Sequence, residues 1–437
     1  MKLSYDLPSH TGSGDLERLA AVLEDQKSRK VDLITDPRNV TATVLDEDVV
    51  TEDGVSVVEK PALNFMMPGG GDPIIAVPTN NGHRQISAYT PMPAPYYELV
   101  GREAPDLWRE NVSHWLAKPR RRKVRRRGET VIKEEFKPRL WRLWKLGENK
   151  DRYAVRAVLS NRYRVIDNEG LVMTALDAAR DVLHEQGFAP PILRNWSVTE
   201  RRLSMFLWTP DVFGDLSRFD EPPATGWEDN GRGGINFSRE DVARMDAAVP
   251  PDDQGGSDLV FAGFEIRHSE TGGGKLLVTP KGLRLACRNG QGLGINVAQV
   301  HLEGEKEEAI LERDTIAAAN RVLFMKVRDA VRACFSVERF GSLIRQIGET
   351  RDMEMVEPTR FADVIVARDG LSEDVKKSIL AAYRQDVSPG RHTVFDGYQA
   401  LTAAARDCAE SNPGLADELE ASASNLIKRP RMVMVKR

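Results

Sequence analysis

Residues 258–280, DLVFAGFEIRHSETGGGKLLVTP, set two apolar runs on either side of a glycine-rich tip, the pattern of a β-hairpin. Another strand signal precedes it in WSVTERRLSMFLWTP, where Leu203, Met205 and Leu207 alternate with Arg202, Ser204 and Phe206. From about Glu307 to Ile347 the period becomes helical, with Ile316, Leu323, Val327, Val331, Cys334 and Phe335 on one apolar face. Three more helical stretches follow near 371–386, 394–410 and 413–428, broken at Pro389–Gly390 and Asn412–Pro413. Strands in the middle and helices at the end predict an α+β fold. It has a central antiparallel sheet with the hairpin and a long helix, plus a helical C-terminal part.

Upstream, DLERLAAVLEDQ has Leu16, Leu19, Ala20 and Leu23 at helical spacing, as a peripheral helix or an oligomer contact would. FMMPGGGDP is a break, because three glycines followed by Pro73 continue neither a helix nor a central strand. Tyr97, Leu99, Leu107, Trp108, Val112, Trp115 and Leu116 recur every three or four positions, which predicts a helix pair ending at Pro119. RLWRLWKLG is too short to separate strand from helix. After it come a strand with a turn at Ser160–Asn161, then a helix from about Asn168 to Glu185 stopped by Gly187. Residues 210–257 are rich in Asp, Gly and Pro, the composition of a functional flap or a disordered insertion. Three regions result: a partly flexible N-terminal segment (1–84), an α+β core (85–347) and a helical C-terminal region with a basic tail (348–437).

Charge is the second constraint. The formal net charge is −4, yet eight of the ten residues 118–127, KPRRRKVRRR, are basic. From Lys118 to Arg164 there are 18 Lys or Arg against 5 Asp or Glu, leaving −17 for the rest of the chain. Such asymmetry makes a strong local field whose usual partner is a polyanion, although cation runs also occur as solvated linkers or localisation signals. Here the run leads into Phe136, Trp141, Trp144, Tyr153 and Tyr163, interleaved with Lys137, Arg139, Arg142, Arg152, Arg156, Arg162 and Arg164. Cations for phosphates beside rings for bases is the combination that holds single strands, provided the rings are not core residues. Neutralising six phosphates of a single strand would give a log-affinity against log-salt slope of about −4. DNA and RNA are not separated by these features.

Catalytic patterns are not found. SETGGGKLLVT departs from a P-loop at Ser269, where glycine is needed, and at Leu276, where the magnesium-binding hydroxyl follows the lysine. Its tip and Lys275 still suit a phosphate backbone, as they suit a plain turn. The seven histidines stand apart from one another, and Cys287, Cys334 and Cys408 form no CxxC pair, so neither metal nor other cofactor is expected. The carboxylates of FDEPP and PPDDQGGSD suit solvated loops better than a metal-dependent nuclease. No run approaches the ~18–20 apolar residues of a membrane span. The N-terminus lacks a signal-peptide apolar core, so a cytoplasmic protein with no membrane partner is expected.

Four segments in order, MPAPYYELVGREAPDLWRENVSHWL, AVLSNRYRVIDNEGLVMTAL, GFEIRHSETGGGKLLVTPKGLRLACRNGQ and RHTVFDGYQALTAAARD, resemble the phage and plasmid proteins catalogued as domain of unknown function 932. The resemblance runs from about residue 85 to 428. It rests on Ser160, Arg162, Tyr163 and Asp167, on Ser269, Glu270 and Gly272, and on Cys287, Asn289 and Gly290, with a departure at His268, where Asn is the family expectation. It implies a phage-encoded protein acting in a bacterial host near replication and recombination genes. The outline is similar, at fold level, to RecT/Red-beta-type single-strand annealing proteins.

The combined expectation is a non-enzymatic protein that binds or anneals single-stranded DNA as a ring or filament. Lys118, Arg120, Arg121, Arg122, Lys123, Arg125, Arg126 and Arg127 would meet phosphates, and Arg142, Arg156, Arg162 and Arg164 would line a groove. Trp144 and Tyr163 would stack bases, with Lys275 at the hairpin tip. The alternative is a phage factor that occupies a host replication or defence protein, the acidic loop 210–257 mimicking nucleic-acid charge.

Overall fold

The computed structural model describes residues 4–51, 54–67, 70–126, 129–147, 152–161, 163, 165–216, 219–220, 224–225, 259–274, 276–284, 298–300, 313–386, 392–408 and 413–434. The fold is α+β, with the central antiparallel sheet and the helical C-terminal part that the periodicities imply. The central sheet runs β1 (His10–Ser13), β10 (Ile192–Val198), β11 (Leu203–Asp215), β13 (Leu259–His268), β14 (Leu276–Arg284), β15 (Ala298–Val300), with β12 (Ala224–Thr225) also on β11. The strict alternation of β11 is resolved by burial on both faces. Met205 and Leu207 enter the main core, while Phe206 and Trp208 pack with Phe261 and Leu283 on the other side.

That main core is sealed by α1 (Leu16–Arg29), α5 (Asn168–Glu185) and α6 (Arg313–Cys334). Leu19 and Leu23 of α1 are buried there with Leu171 and Ala175 of α5, while Leu16 and Ala20 of the same helix are exposed. The C-terminal helices α7 (Val337–Glu349), α8 (Pro358–Asp369), α9 (Glu373–Asp386), α10 (Val394–Cys408) and α11 (Pro413–Lys428) extend the same core.

A second sheet runs β2 (Lys30–Thr35), β8 (Arg139–Lys145), β9 (Arg152–Ser160), β5 (Ile74–Pro78), β4 (Gly54–Phe65), β3 (Val40–Thr51), antiparallel except for β5 on β9. RLWRLWK is therefore a strand, its Trp141 and Leu143 facing α2 (Asn80–Tyr89), α3 (Ala94–Glu103) and α4 (Pro105–Leu116) in a separate core with Tyr97 and Trp108. The first 84 residues, expected as a partly flexible segment, supply five strands to the two sheets. Most of the Asp/Gly/Pro-rich tract, residues 226–258, lies outside the described residues. Among the described residues no helix is long and apolar enough to cross a membrane.

Candidate nucleic-acid interface

The basic block folds as β6 (Arg120–Arg126) paired to β7 (Glu129–Glu135) in a two-stranded sheet separate from the two large ones. Six of the seven β6 residues are cationic, and the register decides where they meet carboxylates. Arg120 lies opposite Glu135, Arg121 opposite Glu134 and Arg126 opposite Glu129, all toward the ends. In the middle Arg122 faces Lys133, Lys123 faces Ile132 and Arg125 faces Thr130. Like charges directly opposite weaken a ladder, and a lone two-stranded ribbon is marginal in water. Lys118, exposed just before β6, places its Nζ 4.8 Å from the Trp115 ring.

The cations after the ribbon have a different fate. Arg142 on β8 and Arg156 on β9 are 1% and 2% exposed, too deep to line a groove. A β-bulge between Arg142 and Leu143 adds Arg156 to the face that carries Arg142, and a bulge is a device for re-aiming a side chain. Opposite them the turn after β13 inserts Glu270, whose side chain is 1% exposed. Arg156 Nη1 donates to Glu270 Oε2 at 3.3 Å, the Asn168 backbone N–H donates to Oε1 at 2.8 Å, and Lys30 donates to Oε1 as well. Arg142 donates to the Glu270 carbonyl at 2.9 Å and grips Asp32 with Nε at 2.8 Å and Nη2 at 3.1 Å.

Burial by itself would raise the Glu270 carboxyl, but Lys30, Arg156 and Arg142 outweigh it and hold the pKa down at about 2. For Arg142, Glu270 and Asp32 overcome the opposing effect of burial, and its pKa rises; for Arg156, burial wins and the pKa falls. Buried charges persist only when paired in this way. The cluster joins β2, β8, β9, the start of α5 and the 269–271 turn. Each of its cations is paired with a carboxylate inside the protein, although Arg156 Nε has no hydrogen-bond partner among the described residues, and the cluster ties these elements together as an internal brace.

Of the two expected stacking rings, that of Trp144 is likewise internal. Trp144 is 4% exposed, packed with Leu7 and Ala154, and covered by the Arg156 guanidinium at 4.8 Å. Trp141 meets Phe65 edge-on at 5.2 Å, and Arg38 lies 4.3 Å over Phe136. Tyr163 is half-buried and its hydroxyl donates to the Ser269 carbonyl at 2.9 Å. The roles given to Arg142, Arg156 and Trp144 are therefore corrected: all three are interior groups that hold the fold. Arg127, Arg162, Arg164 and Lys275 lie outside the described residues, as do Cys287, Asn289 and Gly290. Two of the stretches singled out by resemblance, LSNRYRVID and HSETG, lie in contact, through Tyr163 on the Ser269 carbonyl and His268 Nε2 on the Ile166 carbonyl.

Sequence reasoning missed Lys30 and Asp32, which sit in an unremarkable strand 110 or more residues from their partners. Among the described residues no group of three or more His, Cys, Asp or Glu is arranged to hold a metal ion. Compared with known proteins, the chain matches no family model, no curated protein and no solved structure.

Proposed function

We propose that the protein binds nucleic acid, with the β6–β7 ribbon as the element that contacts the phosphate backbone. The observation that carries this reading is the register: the central cations of β6 face Lys133, Ile132 and Thr130 in place of carboxylates. Single-stranded DNA is the proposed substrate, and annealing of complementary strands by a cytoplasmic, phage-encoded ring or filament is the proposed activity. Support for the finer reading comes from the charge asymmetry and the resemblance; with Trp141 and Trp144 in the core, charge supplies the affinity and base stacking contributes little.

The test is a salt series with single- and double-stranded oligonucleotides, run beside particle size and the rate at which complementary strands pair. Tighter binding to the single strand, accelerated pairing and a large particle are expected. Equal rates of pairing with and without the protein would remove annealing, and a monomer would remove the ring or filament.

A further inference from the structure

The glycine-rich turn after β13 is fixed from below and open above. Tyr163 donates to the Ser269 carbonyl at 2.9 Å, Gln85 Nε2 donates to the Thr271 carbonyl at 2.8 Å, and the Gly273 N–H donates to Ser269 Oγ at 2.9 Å. Gly272 takes a left-handed φ of 74° against Leu159, where a Cβ would come within 2.7 Å of Cδ2. Gly272, Gly273 and Gly274 are nevertheless exposed.

Across from this rim stands Arg201, in the β10–β11 turn that the Thr199 hydroxyl holds by accepting from the Arg201 and Arg202 N–H groups. A Cβ placed on Gly273 would lie 3.7 Å from Arg201 Nε and 3.8 Å from Nη2, so a glycine leaves the guanidinium open toward the turn. Arg201 Nε is buried, and among the described residues no acceptor pairs with it to offset its desolvation. Arg84, exposed on α2 next to Gln85, adds a second cation. Burial pushes the Arg201 pKa down, and repulsion from Arg84 and then Arg202 pushes it further, opposed only by Glu200. Like charges gathered around a glycine turn, with a donor left unsatisfied, are the ingredients of an anion site.

We propose that Arg201, Arg84 and the Gly272–Gly274 turn bind a phosphate group. On the nucleic-acid reading above, on which this part rests, that group is a backbone phosphate of the strand lying along the ribbon. The ribbon leads through Phe136 into Arg139, which pairs with Ser160 at the end of β9, and the turn packs on the neighbouring Leu159. Ribbon base and turn therefore share one end of the second sheet.

The test compares the full chain with R84Q/R201Q, using inorganic phosphate as probe. Phosphate should raise the melting temperature of the parent saturably, beyond sodium chloride at the same ionic strength, and R84Q/R201Q should lose that increment. R84Q alone, at an exposed helix position, should weaken it and serves if the double variant does not fold. Equal increments in parent and variants would overturn the site. A salt series on a single-stranded oligonucleotide separates the two sources of phosphate. A slope shallower by about 0.7 for each phosphate no longer neutralised supports a backbone phosphate. Oligonucleotide binding with an unchanged slope would overturn the backbone assignment, leaving the ribbon reading intact. A phosphate increment that disappears in R84Q/R201Q, in a protein that binds no oligonucleotide, would support a site for free phosphate, and the ribbon reading would be the one that fails.

Discussion

The β6–β7 ribbon and the β8–β9 pair are drawn from one cation-dense stretch of sequence, and the fold gives them opposite chemistry. In the ribbon the only cross-strand carboxylates are Glu129, Glu134 and Glu135, set toward the ends. In β8–β9 the two buried arginines each meet an acid from far along the chain: Asp32 of β2 for Arg142 and Glu270 of the hairpin turn for Arg156. Local charge density therefore does not report exposure. What decides is whether the topology brings a remote carboxylate to the cation, since an unpaired interior charge is excluded by its desolvation cost.

The sharpest way to break the buried half is Glu270→Gln, which leaves Lys30, Arg142 and Arg156 short of one negative charge. The expected loss is about 3–5 kcal/mol of stability, the scale for removing one partner from a buried pair, read by chemical denaturation. A loss under about 1 kcal/mol would mean that the cluster is not a brace. The same contrast has a pH signature. The Glu270 pKa is lowered from 4.5 in a free carboxyl to about 2. Its contribution is therefore complete above about 4.5 and is lost as pH falls from there toward 2. The stability gap between parent and Glu270→Gln should narrow over that window, and a constant gap would contradict the ionic role.

A smaller effect comes from Trp144→Phe, which keeps an apolar ring under Arg156 in a tight core. About 1–3 kcal/mol of stability should be lost through the space left behind, while oligonucleotide affinity of the folded protein stays within about twofold. A large affinity loss would restore the stacking role that burial argues against. Smallest of all is the stability effect of reversing the ribbon. R121E/R122E/K123E/R125E should move the denaturation midpoint by no more than a surface change does, roughly 0.5 kcal/mol. A larger shift would mean that the ribbon is integral to the fold.

Periodicity carries much of this architecture. Asn168–Glu185 reads as a helix because its apolar residues recur at helical spacing, and it ends just before Gly187, whose φ is 77°. Helix α8 escapes a periodicity reading although Pro358 opens it and Gly370 closes it in a left-handed conformation, the proline-first, glycine-last signature of a helix. Helix α2 is hidden by its Asn-Asn-Gly start: Gly82 is there because a Cβ would come within 2.2 Å of the Val155 carbonyl oxygen on β9. The ribbon has little local signal, since Arg and Lys are weak strand formers and only pairing with Val131 and Ile132 marks it. The ionic brace depends on contacts across 102 to 240 residues, which no local window contains.

The most direct measurement is the dissociation constant of a labelled single-stranded oligonucleotide across a salt series, for the parent chain and for R121E/R122E/K123E/R125E. The parent should bind with a steep negative dependence of log affinity on log salt, and the charge-reversed ribbon should retain no oligonucleotide at moderate salt. Equal affinity and equal slope in the two proteins would contradict the assignment of the nucleic-acid contact to the ribbon.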